Sequence, residues 1–544
     1  MPYQKPGVEI TQLQRSTTPI LITPELEAVV VGNGYWWQDP SWDSDTDIQH
    51  NSVAPQTFSS DGSPATIAIS GINPSYYDVS GKEELVLVDL LGISGPDTGL
   101  VKRLIYGQDF SVTSNQITLS GISASTSSTY QVKVGYLANR ADTLGFNKIT
   151  SQSDVRDLIG EPVSWNPLAF GAVLCQNNAG TAINILNVES SVAPGTKMID
   201  AINTTLALKE IWAIAPVSHN ITASELKSHC ETYSAATAKK ERVAFYNGAI
   251  SWPGDPETLT AGQRETVAES IRDTNSGVAS KRIFSTHPDL AFVLETRHIS
   301  TIKPSWLNKS FDYYTTIELG TYGPFARFVA DTYVGRILYK ANQEITETIW
   351  QHLIDNDWAG NDGMVTVYAP VPGFYYNAAL AGLAVGTTPA QPLTRYQLSG
   401  FTKTYGSQDI FSESDLNIMA GGGTWILSQL SDASPVQTRH QVSTDITSVA
   451  KREFSVTKAI DYVSKYLRLS IDPHIGRYNI TDDYLRLINA ILVAQGLFLT
   501  RNRILRDFKV LTILQDSINP DTINVEIEIL PLYPANYIKI TLIF

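Results

Sequence analysis

Two cysteines, Cys175 and Cys230, stand in 544 residues. That is no disulfide framework, so both read as buried free thiols and synthesis in a reducing cytoplasm fits. Charge is sparse at 17% against 43% apolar residues, which places the chain among globular proteins and not disordered ones. Basic residues are the scarcer sign, 40 against 54 acidic, for a net charge of −14. That deficit argues against nucleic acid gripped through its phosphates over a broad surface, and no direct nucleic-acid partner is expected. Long hydrophobic runs are missing too. The longest, Leu487 to Leu499, is interrupted by Asn489 and Gln495 and falls short of the ~18 residues of a spanning helix, so no stable membrane insertion is expected. The opening Met1-Pro2-Tyr3-Gln4-Lys5 carries neither a signal-peptide nor a lipidation pattern.

Chemistry-bearing motifs are equally thin. Gly32-Asn33-Gly34 follows an apolar run, but the third glycine of a dinucleotide fingerprint is replaced by Trp37, whose ring would block approach to a pyrophosphate; a tight turn is expected. Gly421-Gly422-Gly423 lacks the Lys-Ser/Thr of a phosphate loop and reads as a flexible loop. Asp43 to Asp47 begins like a calcium loop, yet its sixth position is Ile48 and its twelfth Ala54, which removes the turn and the bidentate ligand. None of the eight histidines has metal-ligand spacing, and no nucleophile elbow is present. No catalytic residue, metal or cofactor is therefore expected, although a triad assembled from distant residues stays open. Tyr35, Trp36, Trp37 and Trp42 form an aromatic cluster that suits either packing or stacking on a sugar.

What the chain has is a change of period along its length. Ala28 to Val31 reads as a buried strand. From 36 to 145, short alternating runs such as Thr66–Ile69, Glu84–Val88, Gln116–Leu119 and Tyr130–Val134 predict an all-β module. From 146 to 360, strands at Thr181–Leu186, Ile211–Ala215, Val243–Tyr246 and Ala291–Leu294 alternate with helix candidates. One of these starts at Thr222 with Glu225 completing a capping box, and another runs from Ala261 to Thr274. That order predicts an α/β domain with partly parallel strands. From 361 to 544 an α+β region follows. It has a helix through Val456, Ile460, Val463 and Leu467, and a second from Thr481 with its apolar face at Tyr484, Leu487, Ile488, Ile491 and Leu492. Ile523 to Ile529 alternates as a strand.

The last eight residues also alternate, with Ile538, Ile540, Leu542 and Phe544 on one side and Tyr537, Lys539, Thr541 and Ile543 on the other. An unpaired strand of this composition is an aggregation hazard, so it needs a partner edge, in its own sheet or in a neighbouring subunit's. Residues 7 to 13, including Val8, Glu9 and Ile10, read as a short strand at the other end. Arg501, Arg503, Arg506 and Lys509 cluster after the apolar helix, either as a solvated face or as a docking surface for an acidic partner.

Four short segments in order carry a family resemblance: Lys5 to Ile10; Ala381 to Pro389 with Gln391-Pro392-Leu393; Val442 to Asp445 with Arg452-Glu453-Phe454 and Ala459 to Val463; and Tyr537 to Thr541. In these the chain resembles tail sheath proteins of contractile bacteriophages and related injection systems. The resemblance implies a multidomain α/β and α+β protein. Residues 1–35 would be a strand arm and first core strand packing with the C-terminal domain, 36–145 an outward-facing all-β insertion, 146–360 an α/β domain and 361–544 an α+β core. It further implies stacked hexameric rings around an inner tail tube, with baseplate and tail terminator proteins as further partners, in a virion tail assembled in the host cytoplasm. Val8 to Ile10 and Tyr537 to Ile543 would add to neighbours' sheets and link subunits, and the cluster at Arg501, Arg503, Arg506 and Lys509 would face the tube. The alternatives are an enzyme on the central α/β domain and a glycan-binding adhesin using Trp36, Trp37 and Trp42.

Overall fold

Ala28-Val29-Val30-Val31-Gly32 has no polar position, so both faces of this strand must be covered. In the computed structural model, which describes residues 25–34, most of 144–298, 364–536 and 538–542 together with isolated strands within 36–138 and 310–344, this segment is β1 (Ala28–Gly32), buried throughout. It lies inside an eight-stranded sheet. The other strands are β2 (Gly145–Ile149), β3 (Ile183–Asn187), β4 (Ala213–Pro216), β5 (Val243–Tyr246) and β6 (Ile283–His287). After a second sheet built on β7 (Leu290–His298), β8 (Met364–Pro372) and β9 (Lys403–Tyr405), the chain returns with β10 (Thr424–Ser428) and β11 (Gln437–Thr438). The spatial order is β2-β3-β1-β4-β5-β6-β10-β11. The strands from β3 to β10 in that order are mutually parallel, and β2 and β11 pair antiparallel at the two ends.

Helices cover both faces, as a parallel sheet requires. Ala28 and Val30 of β1 face one core, with α1 (Gln152–Ile159), α2 (Pro167–Ala179) and, from far along the chain, α6 (Tyr375–Gly386). Val29 and Val31 face the other, with α3 (Pro194–Thr205) and α4 (Ala223–Tyr233). The expected capping box opens α4: Glu225 N donates to Thr222 Oγ1 at 3.3 Å, and Thr222 N donates back to Glu225 Oε2 at 2.8 Å. A second box, Thr260 with Gln263, opens α5 (Ala261–Val278). A smaller core joins α5 to α7 (Glu413–Gly421) through Val267, Leu416 and Met419.

The sheet crosses two of the expected boundaries. It draws strands from both sides of residues 35/36 and 360/361, so β1, the 145–287 strands and β10 share one layer. Ala291–Leu294, expected in the α/β sheet, belongs instead to β7 of the antiparallel second sheet. Gly421-Gly422-Gly423 is a tight helix-to-strand turn and not a flexible loop. Gly423 has φ +86°, and a Cβ at Gly422 or Gly423 would collide with the backbone of Arg272 or Ser443. The Gly32-Asn33-Gly34 turn is fixed by Asn33 Nδ2 donating to Val188 O at 2.7 Å.

Within 36–138 every described element is a strand. Trp36–Gln38, Gln56–Ser59, Leu87–Ser94, Val101–Arg103 and Thr129–Ala138 form one antiparallel sheet, and Ala65–Ala68, Phe110–Thr113 and Gln116–Leu119 another. Val8, Glu9, Ile10 and Trp42 lie outside the described residues.

The C-terminal part is built on α8 (Val449–Arg452), α9 (Phe454–Ile471) and α10 (Asp482–Arg501), followed by a hairpin of β12 (Leu505–Gln515) and β13 (Ile523–Pro531). Three contacts pin α9 to the sheet layer: the buried Arg282–Asp461 ion pair, Trp212 Nε1 donating to Asp461 Oδ2 at 2.9 Å, and Arg468 with Glu241.

Candidate assembly surface

The hairpin has an apolar inner face, on which the register shifts of β12 keep its apolar side chains beside those of β13. Phe508, Val510, Ile513, Ile523, Ile527 and Ile529 pack toward the helices, against Tyr484, Ile488 and Leu492 of α10 and against Tyr466 and Leu499. Gly496 lets Phe508 press onto α10, for a Cβ there would overlap the ring. The outer face pairs Lys509 with Glu528, Thr512 with Glu526 and Leu514 with Asn524. The hairpin forms a sheet of its own, so the outer edges of β12 and β13 carry no ladder among the described residues. Such edges are templates for a further strand.

Tyr537 and Ile543 lie outside the described residues; 538–542 are described. Ile538, Ile540 and Leu542 are 82%, 79% and 84% exposed, and Lys539 and Thr541 are exposed as well. The expected strand is not formed in the single chain: 538–542 has no regular secondary structure. The reason is physical, since strand backbone is stabilised by a neighbour's hydrogen bonds and none of the described strands lends an edge to these residues. Leaving three large aliphatic side chains in water forgoes about 1.5–3 kcal/mol each.

The four basic residues are all exposed but not on one element. Arg501 ends α10, Arg503 sits in the following turn with φ 56°, and Arg506 and Lys509 lie on β12. Asp507, Glu526 and Glu528 interleave with them, so the outer face of the hairpin carries both signs. β12 itself was not legible as a strand, because Arg506 and the register shifts beside Asp507 and Thr512 break its alternation.

Immediately before 537–544, Asn536 is held. Its Nδ2 donates to Glu453 Oε1 at 3.0 Å and contacts His440 Nε2 at 3.1 Å. Glu453 is fully buried. Burial pushes its carboxyl up, but His440, Arg452 and Asn536 outweigh that and hold it below the usual carboxylate range.

A cavity of about 510 Å³ opens between α5 and the ends of β5 and β6, lined by Tyr246, Ser270, Thr274, Asn275, Ser285 and His287 among others. Burial pulls His287 down to about 4, and its Nε2 donates to Gly406 O at 2.6 Å, so the ring is neutral. Among the described residues no carboxylate, lysine, arginine or cysteine lines this cavity. Cys175 and Cys230 are buried free thiols, and burial pushes Cys230 up to about 12. Among the described residues no group of three or more His, Cys, Asp or Glu is placed to hold a metal, and no helix is long and apolar enough to cross a membrane.

Open hairpin edges and an uncovered apolar segment describe a chain with surface to offer a partner. The resemblance read from the sequence is to tail sheath proteins, and a curated protein of that kind is similar to this chain: the tail sheath protein of Mycobacterium phage Bxz1, 31% identical over 170 residues. The match covers 31% of this chain and 28% of that protein. No protein-family model matches. Among solved structures, the contracted sheath complex of an extracellular contractile injection system has a TM-score of 0.46 at 12% identity, covering 73% of this chain and 86% of that one. The sheath tail protein of Desulfitobacterium hafniense has 0.39 at 8%, covering 93% and 97%.

Proposed function

We propose that the chain is a structural subunit of a contractile tail sheath. In this reading subunits stack as hexameric rings around an inner tail tube, bounded by baseplate and tail terminator proteins, in a virion tail assembled in the host cytoplasm. Contraction drives the tube through the target envelope. Domains move as rigid bodies while linking strands keep the mesh connected, and no catalytic step or cofactor takes part.

The observation that carries this reading is the exposed alternation of Ile538, Ile540 and Leu542 in a chain whose β12–β13 hairpin has two open edges. A neighbour's strand, from Tyr537–Ile543 or from Val8–Ile10, would add to such an edge through main-chain hydrogen bonds, with apolar side chains setting the register. Likeness to a phage tail sheath protein supports the same reading. Arg501, Arg503, Arg506 and Lys509 are accessible to an acidic tube surface.

Deleting residues 537–544 tests it. The expected outcome is a monomer with unchanged circular dichroism and urea midpoint that forms no tubular polymer by negative-stain microscopy. Full-length tubes from the truncated chain would sink strand exchange by this segment.

A further inference from the structure

We infer that Asn536, His440 and Glu453 form an anchor that fixes the point and direction at which the 537–544 segment leaves the body, so that a neighbour meets it from a rigid root. The inference rests on the strand-exchange reading above and adds the residues that position the strand.

Asn536 Nδ2 lies 3.0 Å from Glu453 Oε1 and 3.1 Å from His440 Nε2, and His440 Nε2 makes its own 3.1 Å contact with the same carboxylate oxygen. A carboxamide nitrogen carries two hydrogens. One of them goes to Glu453 Oε1, the oxygen that His440 Nε2 also reaches, so three side chains meet at a single carboxylate oxygen. Arg452 reaches the same oxygen, with Nη2 at 3.0 Å and Nε at 3.1 Å, while Glu453 Oε2 is buried without a hydrogen-bond partner.

The anchor is itself fastened to the central sheet. Glu453 makes a β-bridge with Val442. Ser443 N donates to Arg452 O at 2.8 Å, Phe454 N to Gln441 O at 3.1 Å and Thr444 N to Ile283 O at 3.0 Å. Ser280 N donates to Thr444 Oγ1 at 3.1 Å. A hydrogen-bonded path thus runs from Asn536 to β6. Two residues further on, Ile538 is 82% exposed. The transition from held to uncovered chain falls at Asn536, and tension on the segment would enter the body there.

The test uses Asn536→Asp, which sets a second carboxylate against Glu453, and the double variant Asn536→Asp with Glu453→Gln, which moves the carboxylate across the same contact. Hydrogen exchange of the peptides covering 532–536 is followed in the full-length monomer, and tube formation is scored separately. The single variant should exchange about tenfold faster or more, as for losing a hydrogen bond to a charged group, and polymerise poorly; the double variant should recover both. Asn536→Ala, which removes the bridge from a half-buried surface position, should match the single variant without its added charge. Unchanged exchange in the single variant, faster exchange with tube formation intact, or no recovery in the double variant each overturns the anchor. If wild-type chain fails to form tubes while the exchange responds as described, strand exchange fails and the fastening of Asn536 stands.

Discussion

Gly382 and Gly386 sit one turn apart on α6, where a Cβ would lie 2.0 Å and 2.3 Å from the Cys175 and Ala179 carbonyl oxygens of α2, a hard overlap. The glycines thus set how close two buried helices lie. Gly382→Ala should lower stability by about 1–3 kcal/mol through overpacking, read as a lower urea midpoint. Gly277→Ala in α5, where an added methyl meets nothing, should leave stability unchanged or raise it by up to ~1 kcal/mol. Lys458 is the second residue whose setting has a measurable consequence. It is fully buried, and its Nζ donates to Thr387 O at 2.8 Å, Thr387 Oγ1 at 3.0 Å and Thr388 O at 3.0 Å, past the end of α6. Burial pulls it from 10.5 down to about 7. Between those values the unfolded chain binds the extra proton, so this site makes stability rise with pH across the window and lowers it most below about pH 7. Lys458→Met should remove that slope. Wild type should gain on the variant, on the order of a few kcal/mol between pH 7 and 10, in urea titrations; a constant difference would refute it.

At the scale of elements, α9 is held to the sheet by Asp461, which accepts from both Arg282 and Trp212. Asp461→Ala leaves the Arg282 guanidinium buried without its carboxylate and should cost about 3–5 kcal/mol. Arg282→Met added to it should recover much of the loss. Elements with strong local signals were legible. Thr222 with Glu225 fixed the start of α4, Thr481 is the N-cap of α10, and β5 spans Val243–Tyr246 as expected. Pairing was less legible than existence. Ala291–Leu294 looks like any buried strand, and the antiparallel partner that takes it out of the main sheet, Val371 to Tyr368, is some eighty residues away. Glu453 lies in one of the segments that carry the resemblance, but its meeting with His440 and Asn536, 13 and 83 residues away, leaves no local pattern in the sequence.

For the molecule as a whole, the central sheet joins early and late parts of the chain, as β1 and β10 show. Sequence segmentation by period separates such parts, because period reports local structure and not the layer that a strand enters. The segment between β1 and β2 leaves that sheet in an informative way. Gly32 at the end of β1 and Gly145 at the start of β2 both stand opposite Asn187 of β3. They emerge at the same end of the sheet, two strand spacings or about 10 Å apart. Residues 35–143 are therefore a graft on a narrow stem. Exchanging them for a short Gly-Ser bridge should leave the sheet's register intact, with cooperative unfolding of the remainder as the check. The same stem would carry an unrelated cargo domain as readily as the native one, which makes this junction a natural port for display on any polymer the chain builds.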